Sequence, residues 1–315
     1  MRLRQFPLRA MFAALAFSVL WCGSFGTARA QRAGAATTND TVIFAVTRRA
    51  DAAFEFEPIT IFRRGAFAGS ITGESSEAEL TRFANSYYKA GQRYRLIWGG
   101  AEAGTVVAKA SQKATDCAKA AATADVQTTV QLGGNRMALA TNSATLGLPK
   151  ASRRPPTEPE RAGVRAHVER IFREKGVPPD ALAALQTINL TASDLNSDGA
   201  AELIGTYMIK RGTTKIFIDK LFVIAEPSGD TFKVGVANYE QLKGEDFNDP
   251  ESLASVGQSA FLTEILIDQL DVDRDGTGEV FTISYSFEGT NYAIYKKGRA
   301  GWARLKEFYN YRCAY

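Results

Sequence analysis

The stretch Asp271-Val-Asp273-Arg-Asp275-Gly276-Thr277-Gly278-Glu279 sets three carboxylates at alternate positions, then a glycine, then a fourth carboxylate at the ninth place. Seventy-seven residues earlier stands Asp194-Leu-Asn196-Ser-Asp198-Gly199-Ala200-Ala201-Glu202. Hard cations such as Ca2+ take six to eight oxygen ligands, so a short loop must turn several side-chain oxygens inward and add a backbone carbonyl. Glycine at the sixth place supplies the backbone freedom for the sharp turn. Asp, Asn and Gly also favour turns that hold no ion. Two copies, each followed by a β-rich run (Leu203 to Ile209 and Val280 to Tyr285), favour the cation.

The twelve-residue helix-loop-helix calcium loop shares the first half of this pattern but needs a bidentate Glu at position twelve. Gly205 and Thr282 stand there, so that reading fails in both copies. The nine-residue pattern instead resembles the calcium loop of FG-GAP repeats in integrin-type propellers, which sits between two antiparallel strands. The resemblance spans about twelve residues per copy and implies two Ca2+ sites. One would use the side chains of Asp194, Asn196, Asp198 and Glu202 with the carbonyl of Ala200. The other would use Asp271, Asp273, Asp275 and Glu279 with the carbonyl of Thr277. The second loop has four carboxylates to the first loop's three, so ligand charge predicts that it binds more tightly.

These loops need strands to hold them, and the 77-residue offset supplies an internal repeat. It aligns Ile188 with Ile265, the loops with each other, and Gly212-Thr213 with Gly289-Thr290. Each unit reads strand, loop, strand, glycine turn, strand, strand, with the later strands at 215–224 and 232–239, then 291–295 and 302–309. Four-stranded units of this kind resemble propeller blades, but two cannot close a ring. They are expected to pack on each other or to share one sheet. The fold class is therefore mainly β with a few helices (α+β).

The chain opens with a targeting signature at 1–30: Arg2, Arg4 and Arg9, an apolar stretch from Ala10 to Trp21, and Ala28-Arg29-Ala30 as a small-residue cleavage site. The apolar stretch is too short to span a membrane. Trp21 is too large for the residue that would precede a lipidated Cys22. Cleavage after Ala30 predicts an extracytoplasmic protein, periplasmic or secreted. Of 38 basic and 34 acidic residues the signal holds four arginines and no acid, so the mature chain is balanced. A nucleic-acid reading of the basic whole-chain charge therefore lapses. Cys117 and Cys313 remain, and an even pair in an oxidising compartment predicts one disulfide.

Composition divides the rest. Residues 31–40 read as disordered, 41–148 as a β-rich N-terminal domain, 149–157 as a proline-rich linker, and 158–315 as a helix followed by the two repeats. Strands are expected at 41–47, 53–62, 93–98, 105–110, 126–132 and 137–141. A helix is expected at 76–90, where Leu80, Phe83, Ala84, Tyr87 and Tyr88 share a face. The alanine-rich stretch 113–124 predicts a second, short helix. Gly99-Gly100 and Gly133-Gly134 read as turns. Thr157-Glu-Pro-Glu160 is a capping box that opens another helix, and 181–185 a further short one.

His167 is the only histidine, and it falls on the rim of that helix. Zinc sites with the usual ligands and Ser-His-Asp sites thus lack their parts, and there is no Gly-x-Ser-x-Gly elbow. Carboxylate-only hydrolysis leaves no sequence signature and stays open. The residues favour a non-enzymatic, calcium-stabilised binding or structural protein whose partner is an extracellular protein or glycan, with no nucleic acid and no membrane span. The alternative is a carbohydrate-binding or carboxylate-based glycan-processing protein, with Trp98, Trp302, Tyr285, Tyr292 and Tyr295 as its platform.

Overall fold

The computed structural model describes residues 40–49, 51–113, 117–212, 216–244, 263–286 and 288–312, and for 110–113 the backbone only. The signal at 1–30 and nearly all of the segment expected to be disordered fall outside these residues, as does Cys313 of the expected disulfide. The protein is mainly β, and every pairing between its named strands is antiparallel.

The N-terminal region is a closed barrel. Its strands are β1 (Thr41–Arg48), β2 (Phe54–Arg63), β3 (Ala66–Ala68), β4 (Arg93–Trp98), β5 (Ala101–Lys113), β6 (Ala122–Thr128) and β7 (Ala138–Thr141). Six of them form the ring β1-β7-β4-β5-β6-β2, which closes by pairing β2 with β1, and β3 hangs on β2. Period-two alternation explains why β1 is buried on both faces. Val42, Phe44 and Val46 point into the barrel, and Ile43 and Ala45 point outward into a second core. Helix α1 (Glu77–Tyr87) adds Leu80, Phe83 and Tyr87 to the barrel core, and its Ser76–Glu79 capping box satisfies its first amides.

The expected helix at 113–124 is absent among the described residues. β5 runs to Lys113, and β6 begins at Ala122. The alanines have helical propensity, but Ala120, Ala122 and Ala124 are buried in the barrel core, where small side chains let the wall close. Tertiary packing overrides propensity here. The strand expected at 126–132 correspondingly ends at Thr128.

The C-terminal region holds two four-stranded meanders. The first is β8 (Gln186–Ser193), β9 (Glu202–Arg211), β10 (Phe217–Ser228) and β11 (Thr231–Lys243); the second is β12 (Ile265–Leu270), β13 (Glu279–Ser286), β14 (Gly289–Gly298) and β15 (Gly301–Tyr311). They are separate sheets packed face to face, not one sheet. Ile204, Phe222 and Ile224 of the first meet Val280, Tyr295 and Trp302 of the second. The other face of the first meander is covered by α2 (Glu158–Glu174) through Val164, Val168, Ile171 and Phe172. The other face of the second packs Phe281, Ile283 and Ile294 on the outer wall of the barrel. The order of layers is thus helix, meander, meander, barrel. The short helix expected at 181–185 is a 3-10 turn, Pro179–Ala184.

The repeat is real in topology, but its offset changes. Ile204 pairs with Ile224, whereas Phe281, 77 residues beyond Ile204, pairs with Ile294, only 70 residues beyond Ile224. The second-to-third-strand connection is longer in the first unit, so Gly289 is not the structural counterpart of Gly212.

The tract 149–157 does not run free. Arg154 exchanges backbone hydrogen bonds with Ala192 on β8, and Ser152 N donates to Gly99 O at the β4–β5 turn. Arg153 is buried, donates to the carbonyl of Ile267 at 2.7 Å, and stacks on Trp98 at 4.0 Å. No helix among the described residues is long and apolar enough to cross a membrane.

Candidate metal centre

Each nine-residue loop closes the first hairpin of its meander, and the two have the same internal wiring. In the first, Asp194 takes the amides of Asp198 and Gly199 on its two oxygens, at 3.2 and 2.9 Å. Asp198 Oδ1 accepts Ala200 N at 2.8 Å, and Glu202 Oε2 accepts Leu195 N at 2.9 Å. In the second, Asp271 accepts Asp275 N and Gly276 N at 3.1 and 3.0 Å, Asp275 accepts Thr277 N at 3.0 Å, and Glu279 accepts Val272 N at 2.8 Å. The sixth-place glycines have φ of 89° and 91°, and open space surrounds the position a Cβ would take. The backbone angle, not crowding, is what requires glycine.

Side-chain oxygens of Asp271, Asp273 and Asp275 lie within 4.8 Å of one another, close enough for one small cation to reach all three. The first loop's counterpart set is Asp194, Asn196 and Asp198, where a neutral amide holds the middle place and Asn196 Nδ2 donates to Asp198 Oδ2 at 2.9 Å. The ninth-place acids are interior: Glu202 and Glu279 are buried. Burial raises the pKa of both, to about 7 for Glu279, because a carboxylate removed from water resists ionisation.

Sequence reasoning missed one residue altogether. Lys296 on β14 projects its ammonium into the second loop, 2.6 Å from Asp273 Oδ2, 2.6 Å from Asp275 Oδ2 and 2.9 Å from Glu279 Oε1. Burial would lower its pKa, but the three acids outweigh it and raise it. Its structural counterpart in the first unit is Glu226, since Lys296 pairs across its hairpin with Ala303 as Glu226 pairs with Lys233. An acid thus stands where the second unit has a base. Glu226 is itself bound by Lys297 and by Trp302 Nε1. Among the described residues no ion pair touches Asp194, Asp198 or Glu202.

The two loops also touch. Gly278 N donates to the carbonyl of Leu195 at 2.7 Å. Gln269, just ahead of the second loop, donates to Ser193 Oγ beside the first at 2.9 Å.

Of the other residues singled out by type, His167 is half-buried, with its Nε2 3.3 Å from Thr231 Oγ1. The five aromatics do not form an exposed row. Tyr292, Tyr295 and Trp302 are buried in packing, Tyr292 donates to Glu57 at 2.7 Å, and Trp98 lies under Arg153. A separate polar cavity of about 240 Å3 brings together Lys220, Glu240, Glu264 and Arg304. Lys220 is buried and 2.9 Å from Glu240, and Glu264 accepts from Tyr295 and Thr282 at 2.6 and 2.7 Å. Lys220, Glu240 and Arg304 come from three different strands and Glu264 stands just ahead of β12, so no local spacing announces them. Comparison with family models, with curated proteins and with solved structures finds no match for this chain.

Proposed function

We propose that this protein is a calcium-stabilised, non-enzymatic binding or structural protein of the extracytoplasmic space, periplasmic or secreted, with Ca2+ at both loops. Asp194, Asn196, Asp198, Glu202 and the carbonyl of Ala200 form one ligand set. Asp271, Asp273, Asp275, Glu279 and the carbonyl of Thr277 form the other. The observation that supports this most is the convergence of the three aspartate oxygens in the second loop, repeated in wiring by the first. Buried Glu202 and Glu279 add to it, because a buried carboxylate is best met by a cation. Export rests on the residues of 1–30 alone.

Lys296 changes the expected order of affinity. A cation entering the second loop must displace an ammonium held by three acids, whereas Lys297 acts on the first loop's Asp198 and Glu202 only from beyond ion-pair distance. We therefore take the first loop as the tighter site despite its lower charge. Calorimetry of the full mature chain after chelator treatment tests the reading. Two binding events are expected in the range of roughly 10^-4 to 10^-3 M typical of extracellular modules. The absence of binding at millimolar Ca2+ would make both loops plain turns.

A glycan-directed role has one supporting observation, the polar cavity at Lys220, Glu240, Glu264 and Arg304. It predicts saturable binding of an oligosaccharide that Glu264→Gln abolishes. Binding indifferent to that change would remove the support.

A further inference from the structure

We propose that the cavity between the barrel and the first meander binds a small monoanion with a planar apolar body, namely an aromatic carboxylate. The cavity measures about 490 Å3, within the roughly 300–1,000 Å3 usual for small-molecule sites. Trp98 and Val130 line it from the edge of the barrel core, and Leu190 lines it from the core under α2. A flat apolar body therefore meets apolar surface on both sides.

The charges around it are one-signed. Arg136, Arg153 and Arg154 line the cavity, and no carboxylate does so among the described residues. Two of the three are already engaged. Arg153 lies on the Trp98 ring, donates to Ile267 O and stands 3.8 Å from Asp268. Arg154 holds both oxygens of Glu160, at 2.7 and 2.8 Å. Arg136 is exposed and makes no ion pair among the described residues. Burial, then the nearness of Arg136, pull the pKa of Arg153 down against Asp268. The cavity thus has one uncompensated positive charge, which suits a single carboxylate held in the bidentate way guanidinium favours.

The full mature chain would be titrated by calorimetry with 2-naphthoate and with methyl 2-naphthoate. One-site binding of the acid is expected, about tenfold tighter than its ester. Arg136→Ala, at an exposed position, should weaken the acid about tenfold and leave the ester unchanged. Failure of the acid to bind below about 1 mM, equal binding of acid and ester, or an Arg136→Ala variant that binds normally would each overturn the proposal.

Discussion

Lys296 and Glu279 form an ion pair of 2.9 Å in which the acid is fully buried while the base keeps partial contact with water. The pair sits at the position a cation would take in the second loop. The second loop thus has a counter-charge at ion-pair distance, whereas Lys297 acts on Asp198 and Glu202 of the first only from further away.

Replacing the lysine separates the two roles. Lys296→Met should destabilise the calcium-free protein by about 1–3 kcal/mol, since a buried carboxylate loses its charged partner. The same change should tighten Ca2+ at the second loop. Thermal melts with chelator and with about 2 mM Ca2+ check both, and equal losses under the two conditions would mean that no cation replaces the amine.

The first loop offers the converse change. Asn196→Asp adds a carboxylate where no lysine forms an ion pair with the loop, so Ca2+ should bind more tightly and calcium-dependent stabilisation should grow as RT ln(1 + [L]/Kd). Asp273→Ala combined with Asp275→Ala should remove the second site while the first still raises Tm. Calorimetric stoichiometry should fall from two to one.

A buried ion cluster anchors the last described strand. Arg312 lies 2.5 Å from both Glu55 and Glu57 on β2, and Asn310 also donates to Glu57. Removing one partner of a buried pair is costly, so Arg312→Met should destabilise the protein by about 3–5 kcal/mol in urea unfolding. Adding Glu55→Gln and Glu57→Gln should recover much of that loss. A loss left unrecovered would assign the effect to packing of the arginine stem.

Acid should act through Glu160. Its hydrogen bond from Arg154, together with those from Thr157, lowers its pKa to about 2 against burial that would raise it. The folded-state pKa lies below the ordinary carboxylate value, so the contribution is complete above about pH 4.5 and is lost as pH falls towards 2. Tm measured across this window should fall less in Glu160→Gln than in the unaltered protein.

Some of this was legible from residue types and some was not. The capping boxes at Ser76–Glu79 and Thr157–Glu160 marked their helices because their signals are local. The meander hairpins were legible because Asp- and Gly-rich turns punctuate alternating strands. Barrel closure was not, since the β1–β2 and β2–β6 pairings give a strand alternation without naming its neighbours. Lys296 was hidden for a more specific reason. The offset of 77 residues fails after the second strand, so alignment at that spacing never sets Lys296 against Glu226. Arg153 was read as part of a polar linker, yet its charge is accommodated inside by a carbonyl, an aspartate and an indole.

The Arg312 cluster also orders the folding of the chain in time. Glu57 emerges early in synthesis, while its ion-pair partner Arg312 is added some 250 residues later, just past the final described strand. A nascent barrel would therefore carry one unmatched acid, Glu57, on its wall until β15 docks, while Glu55 already has Arg49 at 3.9 Å. Charge balance on this side of the wall is therefore reached only when the last described strand is in place.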